Sequence, residues 1–495
     1  MAYTNAPQQS TYSTEMVPLL KELNNRDALG LKDNEFINVF FEIVKNEVTK
    51  ENDYICIRRP GALALTPNTG TGEIRGFFYW QNSNAFIIAI GQGLYSYNPT
   101  TTVMTTINAT QFTTSTGDVG FTEFQYEPAS GTYGTSVVMF SDGVSLWQLS
   151  GTSTVTSATG AGLPSAILPT SLVYMDGYIF VVKQGTAEIY NSVLNNPISF
   201  TNTSPMTAES LPDSITKLAK LNNYLVAFGS QSIEYFWDAG TAGGSPLQSN
   251  TTPIKYNGYL GGFAQLGNRI FFIGNTVEGE PCLFMLEDFK IVPINSQILR
   301  KYLAYQSVDL STTPIKGSFI SVVGHDFYVI NIGTETYIFE LEGQLFTRWA
   351  WKSNDNFPIT FSTNAKVPQG YKAIFSVAGD TKLYYFSQDS LDDAGTAFTW
   401  TIITDIQEFK TYQNKTMSRV VIWADIPPTS LPVSFSWTDD DYQTYSTPIT
   451  VDLRQEVADI RRLGRFRRRA FKLSSSSSQV MRMYGLEVTI NKGFS

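Results

Sequence analysis

A short apolar strand, a tight turn and a second strand rich in aromatics recur seven times along the chain. Four copies are clear: YMDGYIFVV from Tyr174, LNNYLVAFG from Leu221, LGNRIFFIG from Leu266 and VGHDFYVIN from Val323. Three are looser: WQNSNAFIIAI from Trp80, GTYGTSVVMF from Gly131 and VAGDTKLYYF from Val377. Turn dipeptides such as Asp-Gly, Asn-Asn and Gly-Asn tolerate the positive φ angles of two-residue hairpin turns. A hairpin every ~45 residues has the period of a four-stranded propeller blade. Each unit exposes an apolar face that it cannot bury alone, so neighbours must stack. The chain is therefore expected to be all-β, with a β-propeller of six or seven blades at its centre.

Several hairpins lead into a further strand, such as SIEYFW (Ser232 to Trp237), TAEIYNS from Thr186, VSLWQLS from Val144 or TYIFELEG from Thr336. Alternation in these runs gives each strand two packing faces. Their aromatics are read as blade-to-blade packing, with a ligand cage as the lesser alternative. The period stops near Trp400, where strands such as VVIWAD and SFSW begin. The expected division is an N-terminal arm (1–33), a propeller (61–400) and a β-rich platform built from both flanks (34–60 and 401–495). Helical spacing is confined to TEMVPLLKEL near Thr14 and SQILRKYLAY near Ser296.

The two cysteines, Cys56 and Cys282, form no CxxC pair and are read as small buried hydrophobes. No stretch is long and apolar enough to span a bilayer, so no membrane insertion is expected. The N-terminal MAYTNAPQQS lacks the charged and apolar regions of a signal peptide, which points to cytoplasmic synthesis. The formal charge is −9. Eight arginines and one lysine between Arg454 and Arg482 face only Glu456 and Asp459, giving +7 locally and leaving −16 on the rest. One end can meet an acidic partner while most of the surface repels polyanions.

The motifs carry little catalytic chemistry. His325, the only histidine, lies in the turn GHDFY and is read as a turn or packing residue. It cannot supply a multi-histidine metal site. No GxSxG, HExxH or P-loop pattern is present. Carboxylates from distant blades could still pair to cleave a glycoside. Asp439, Asp440 and Asp441 in WTDDDYQTY could hold calcium, but the EF-hand glycine and distal glutamate are missing, and a polar hairpin capped by Asp is the plainer reading. No metal and no cofactor is expected. The run LGRFRRRAFKL contains Arg465, Arg467 and Arg469, which strand alternation places on one face, with Phe466 and Arg468 on the other. Pairing with acidic neighbours, subunit contact and phosphate contact are three readings of this run.

These residues also carry a resemblance. Trp437, Thr438, Asp439, Asp440, two turn residues, then Gln443, Thr444 and Tyr445 resemble the W-[ST]-D-D-G-G-x-T-[WY] hairpin of podovirus tail nozzle proteins, also called tail hub or packaged-DNA stabilisation proteins. GRFRRRAFKL and the final YGLEVTI follow in that family's order. FINVFFEIV leads into IRRPGAL, where Arg59, Pro60 and Gly61 resemble the family's R-P-G signature. GHDFYVIN and TYIFELEGQLFTRW resemble its late propeller hairpin and the strand closing at Trp349. The chain departs from the family at Asp441 and Tyr442, which replace two glycines and take positive φ at greater cost.

The resemblance implies a virion structural protein that is not an enzyme. Six copies would form a ring below the portal and adaptor, retain packaged DNA and conduct it during ejection. The implied partners are other copies of the chain, the tail adaptor, tail fibres or spikes, and passing double-stranded DNA bound without sequence preference. Arg461, Arg462, Arg465, Arg467, Arg468 and Arg469 are the expected assembly contact. A propeller glycosidase or a carbohydrate-binding adhesin is the alternative.

Overall fold

In the computed structural model, which describes residues 12–20, 35–45, 52–126, 135–241, 244–255, 257–294, 299, 303, 313–354 and 356–492, the regular elements are almost all strands. Seven four-stranded antiparallel units follow one another around an axis. They begin at Ile74–Trp80, Gly120–Gln125, Val173–Met175, Ile215–Leu221, Tyr259–Leu266, Ile315–Val322 and Ile359–Val367. We number these units blades 1 to 7. Blade 7 takes its fourth strand from far upstream: Gly61–Ala64 pairs antiparallel with Leu383–Ser387.

Alternation within one strand shows how the blades stack. In Ala85–Ile90 of blade 1, Phe86, Ile88 and Ile90 pack with Ile374, Leu383 and Tyr385 of blade 7. Ile87 and Ala89 pack with Val138 and Phe140 of blade 2. A strand covered on both faces reads as a continuous apolar run, which is why AFIIAI has no polar positions. Blade 7 therefore contacts blade 1 and the ring is closed. Each fully buried Phe or Ile contributes about 1.5–3 kcal/mol relative to an exposed one.

Three clear hairpin turns lie where the dipeptides place them. Asp176 and Gly177 take φ of 49° and 80°, Asn222 54° and Gly267 57°. In the fourth, Val323 and Gly324 form the turn at 57° and 80°, so His325 opens the following strand. The copy at Val377 joins the second and third strands of its blade, because Gly370 already turns the first hairpin between Val367 and Tyr371.

The flanks form two facing sheets. One contains Val39–Lys45, Asn52–Arg58, Arg482–Lys492, Lys415–Ala424 and Asp459–Phe466, with Tyr12–Pro18 also paired to Arg482–Lys492. The other contains Glu35–Ile37, Trp400–Ile403, Ala470–Ser475, Pro432–Thr438 and Ile449–Asp452. Phe36, Val39, Trp400, Met417, Phe435 and Leu486 share the core between them. The second sheet joins the propeller edge to edge: Ile37 pairs in parallel with Arg348, at the outer strand of blade 6.

The helix expected near Thr14 is corrected. Tyr12–Pro18 is a strand whose exposure alternates, with Val17 buried. Pro18 cannot sit inside a helix without losing a hydrogen bond, and Arg482–Lys492 offers an open edge. The helix expected near Ser296 lies mostly outside the described residues, but Leu299 and Leu303 are helical and buried against blades 5 and 6. No helix among the described residues is long and apolar enough to cross a membrane. Cys56 and Cys282 are both buried thiols, and burial pushes Cys56 up.

Candidate functional site

The R-P-G signature sits where the chain passes from flank to propeller. Arg59 is fully buried and uses all five of its N–H donors. Nε donates to Asn38 Oδ1 at 2.9 Å. Nη1 donates to Pro60 O at 3.0 Å and Asp393 Oδ1 at 2.9 Å, and Nη2 to Ala350 O at 2.7 Å and Asp393 Oδ2 at 2.6 Å. One side chain thus ties together the N-terminal flank, the link from blade 6 to blade 7, and the segment leaving blade 7. Asn38 takes φ of 57° to reach it. Pro60 is buried beside it. The Arg59 and Arg58 guanidinium carbons lie 3.7 and 4.3 Å from the Phe398 ring centroid. Burial, and then the Arg59 charge, lowers Arg58 to about 10. Gly61 is needed for space, since a Cβ there would lie 2.1 Å from the Asp392 carbonyl oxygen. The motif is a structural knot.

The acidic hairpin and the arginine run form a second knot at the corner between the two flank sheets. Arg469 is 1 % exposed. Its Nε and Nη2 grip Asp439 at 2.7 and 2.8 Å, and Nη1 donates to Leu463 O at 2.8 Å. Its guanidinium lies over Phe466 and Trp437, 4.4 and 5.1 Å from the ring centroids. Asp440 accepts from Thr438 Oγ1, Thr444 N and Thr444 Oγ1 at 2.8, 2.9 and 2.5 Å. The Thr444 bonds, with Thr438, hold its carboxyl down at about 2. Asp441 and Tyr442, which stand where the resembling motif has two glycines, both take the left-handed conformation, at φ of 59° and 63°. Asp441 pairs with Arg468, and Tyr442 OH donates to Thr404 O at 3.0 Å, so tertiary bonds offset the strain. Tyr445 lies 5.1 Å beneath the Lys472 ammonium, and desolvation pushes it up to about 12.

Two expectations for this run are corrected. The arginines do not alternate along one strand. The strand Asp459–Phe466 contains a register shift, Arg462 has φ of 63°, and the chain turns a corner at Arg467 and Arg468 before Ala470–Ser475 begins in the opposite sheet. Arg469 consequently points inward, and its partner lies within the same chain. Arg461, Arg462, Arg465 and Arg467 are exposed, Arg468 half-buried. Arg461 already shares Asp459 with Arg419, at 2.9 and 3.1 Å.

A third cluster lies on the propeller axis and has no sequence signal. Lys316, on the innermost strand of blade 6, pairs with Asp118, which leads into blade 2. Two blades separate these elements around the ring, so the pair spans the centre. Lys217 of blade 4 stands beside them and donates to Thr170 O. Desolvation, only partly offset by Asp118, lowers Lys217 to about 8. The axis is bridged by charged side chains.

His325 faces Glu340, with Nδ1 and Oε1 3.1 Å apart, and its ring lies 5.1 Å from Phe40 on the first flank sheet. The contact with Glu340 raises the imidazole above its ordinary value. Its contribution to stability is therefore full below the unfolded value of about 6.5 and is lost as pH rises through the folded value. Denaturation midpoints at pH 6.0 and 8.5 should differ more for the parent than for His325→Gln. Equal differences would dismiss the contact as a contributor. Glu342 lies close enough to complete a three-ligand group with this pair, but Glu340 also accepts Gly343 N at 2.7 Å, and the arrangement serves the turn.

The chain matches the family model described as Bacteriophage P22 Gp10, beta-propeller, over residues 17–390. That span holds Arg59, Pro60, Gly61 and all seven blades, and ends before Trp437. No curated protein matches the chain in sequence. Similar solved structures include the N-terminal domain of Nup159 (9% identity, TM-score 0.39, 72% of this chain and 100% of that one). Virginiamycin B lyase from Staphylococcus aureus is similar at 10% identity and TM-score 0.41, over 67% of this chain and 99% of that one. YCF48 from Cyanidioschyzon merolae is similar at 10% identity and TM-score 0.42, over 66% and 98%. A propeller whose entering chain is locked by the R-P-G knot, matched along most of its length, has one placement: the chain belongs to the P22 Gp10 family of bacteriophage structural proteins, the tail nozzle or packaged-DNA stabilisation proteins.

Proposed function

We propose that the protein is the nozzle subunit of a short phage tail. Copies form a closed ring, six by resemblance, that extends the portal and adaptor channel, retains packaged DNA and conducts it during ejection. The observation that carries this reading is the separation of charge. Arg461, Arg462, Arg465 and Arg467 are exposed on the flank sandwich of a chain whose remainder is strongly acidic. Such a subunit can meet the acidic surface of a neighbour or of the adaptor head to tail, and cyclic closure follows if the rotation closes. A wall of like charge also lets DNA slide, since few counterions are released on contact. The propeller axis is bridged by Lys316 and Asp118, so the passage for DNA belongs between subunits.

The proposal includes the division into propeller and two-sheet platform, and the absence of catalysis. The axial cluster offers one carboxylate among lysines, whereas a glycosidase needs two facing carboxylates. Replacing Arg461, Arg465 and Arg467 with Ser tests the assembly role. The expected result is an unchanged melting temperature, particles lacking the nozzle in micrographs of tails, and loss of packaged DNA. Normal assembly with an altered ejection rate would place these arginines in the lumen and overturn the contact. A single copy per tail would overturn the ring. Release of oligosaccharide from host polysaccharide by the purified chain would overturn the non-enzymatic reading.

A further inference from the structure

On the face carrying the first hairpin turn of each blade, Tyr371 stands 76 % exposed and stacks on no other ring among the described residues. It follows Gly370, which closes the hairpin opposite Val367 with a φ of 105°. A cleft opens on either side of it. One, of about 430 Å³, lies between blades 7 and 1 and is lined by Tyr79, Gln81, Asn84, Asn364 and Lys366. The other, of about 360 Å³, lies between blades 6 and 7 and is lined by Ser321, Lys372, Ser387, Gln388 and Asp389. Tyr371 lines both, so the two form one groove across three blades with an aromatic ridge at its middle. Each half falls in the lower part of the size range of ligand pockets, about 300–1,000 Å³.

The geometry points to a binding groove for an acidic polysaccharide. A pyranose ring has an apolar C–H face that suits the electron-rich face of a tyrosine, and its hydroxyls need amide, hydroxyl and ammonium partners around the rim. The groove supplies both. Tyr79 is fixed against the floor, its OH donating to Asn84 Oδ1 at 2.9 Å and Lys366 O at 3.1 Å. Asn364 Oδ1 has no hydrogen-bond partner among the described residues. The charge selects the sugar class. Among the described residues Lys366 and Lys372 are in no ion pair, and they outnumber Asp389, a local cationic excess on a chain of net −9. A polymer bearing uronate carboxylates meets an aromatic platform with an ammonium on each side. This does not rest on the ring reading, because one chain contains the whole groove.

The test is affinity electrophoresis of the purified chain at 150 mM salt in native gels containing polygalacturonate, alginate or hyaluronan, with dextran as the neutral control. At least one acidic polymer should retard the parent and dextran should not. Tyr371→Ala should weaken binding about tenfold, the upper range of one lost aromatic contact. Its melting temperature should not change, since the side chain supports no core. Lys366→Ala with Lys372→Ala should weaken the same polymer. Retardation by none of the three acidic polymers, equal retardation by dextran, or retardation that survives Tyr371→Ala would overturn the proposal.

Discussion

Arg59→Met should destabilise the protein by about 3–5 kcal/mol, the range for breaking a fully buried ion pair from one side. The cost comes from what is left behind. Asp393 is 0 % exposed and would keep a charge with, among the described residues, only the Lys352 N–H as a backbone donor. Asn38 Oδ1 and the Ala350 and Pro60 carbonyls would each lose a donor as well. Methionine keeps much of the volume over Phe398, so the loss is electrostatic and not a cavity. The double variant Arg59→Met with Asp393→Leu should be more stable than Arg59→Met alone, because the orphaned charge is gone. Urea midpoints of the four proteins measure this coupling. A double variant no better than the single one would mean that Asp393 finds water, and the knot would be a matter of packing alone.

Arg469→Met should cost about 2–3 kcal/mol, less than at Arg59 because Asp439 is 37 % exposed and can be rehydrated. The loss should be confined to the flank sandwich, with blade amides keeping their hydrogen-exchange protection. Arg465→Ser and Arg467→Ser, on exposed side chains a few residues away, should stay within about 0.5 kcal/mol of the parent. Equal losses at all three positions would contradict the inward placement of Arg469.

The contrast between these arginines shows which parts of the fold could be read in advance. Hairpins such as Asp176-Gly177 are legible because turn chemistry is local. The apolar run AFIIAI is legible because two covered faces leave no room for polar residues. The orientation of Arg469 is not, because it depends on a register shift and a corner that decouple side-chain direction from residue count. Tyr12–Pro18 matched a helix in spacing, yet its conformation is decided by a partner strand at the other end of the chain. Asp393 had no signal as the Arg59 partner, being 334 positions away. The axial meeting of Asp118, Lys217 and Lys316 is equally hidden, since three blades must be assembled before the charges share a space. The R-P-G and Trp437 motifs were visible as patterns, and only the structure reveals that they are fastenings.

The strand Gly61–Ala64, which completes blade 7, also sets a timetable for folding. Its partner Leu383–Ser387 leaves the ribosome more than 300 residues later. Until then the growing ring is an open arc with an unpaired apolar edge at each end, the kind of intermediate that aggregates or captures helpers. Closing a loop of that length costs roughly 5 kcal/mol of chain entropy, so the final clasp is slow and late. A second clasp encloses the first, because Tyr12–Pro18 pairs with Gly485–Asn491, which is made after Leu383–Ser387. The two clasps are nested like a buckle within a buckle. Tension pulling Tyr12 away from Asn491 would open the outer ladder pair by pair before reaching the inner one. Strain is therefore met first at the rim, and the wheel of blades is reached last.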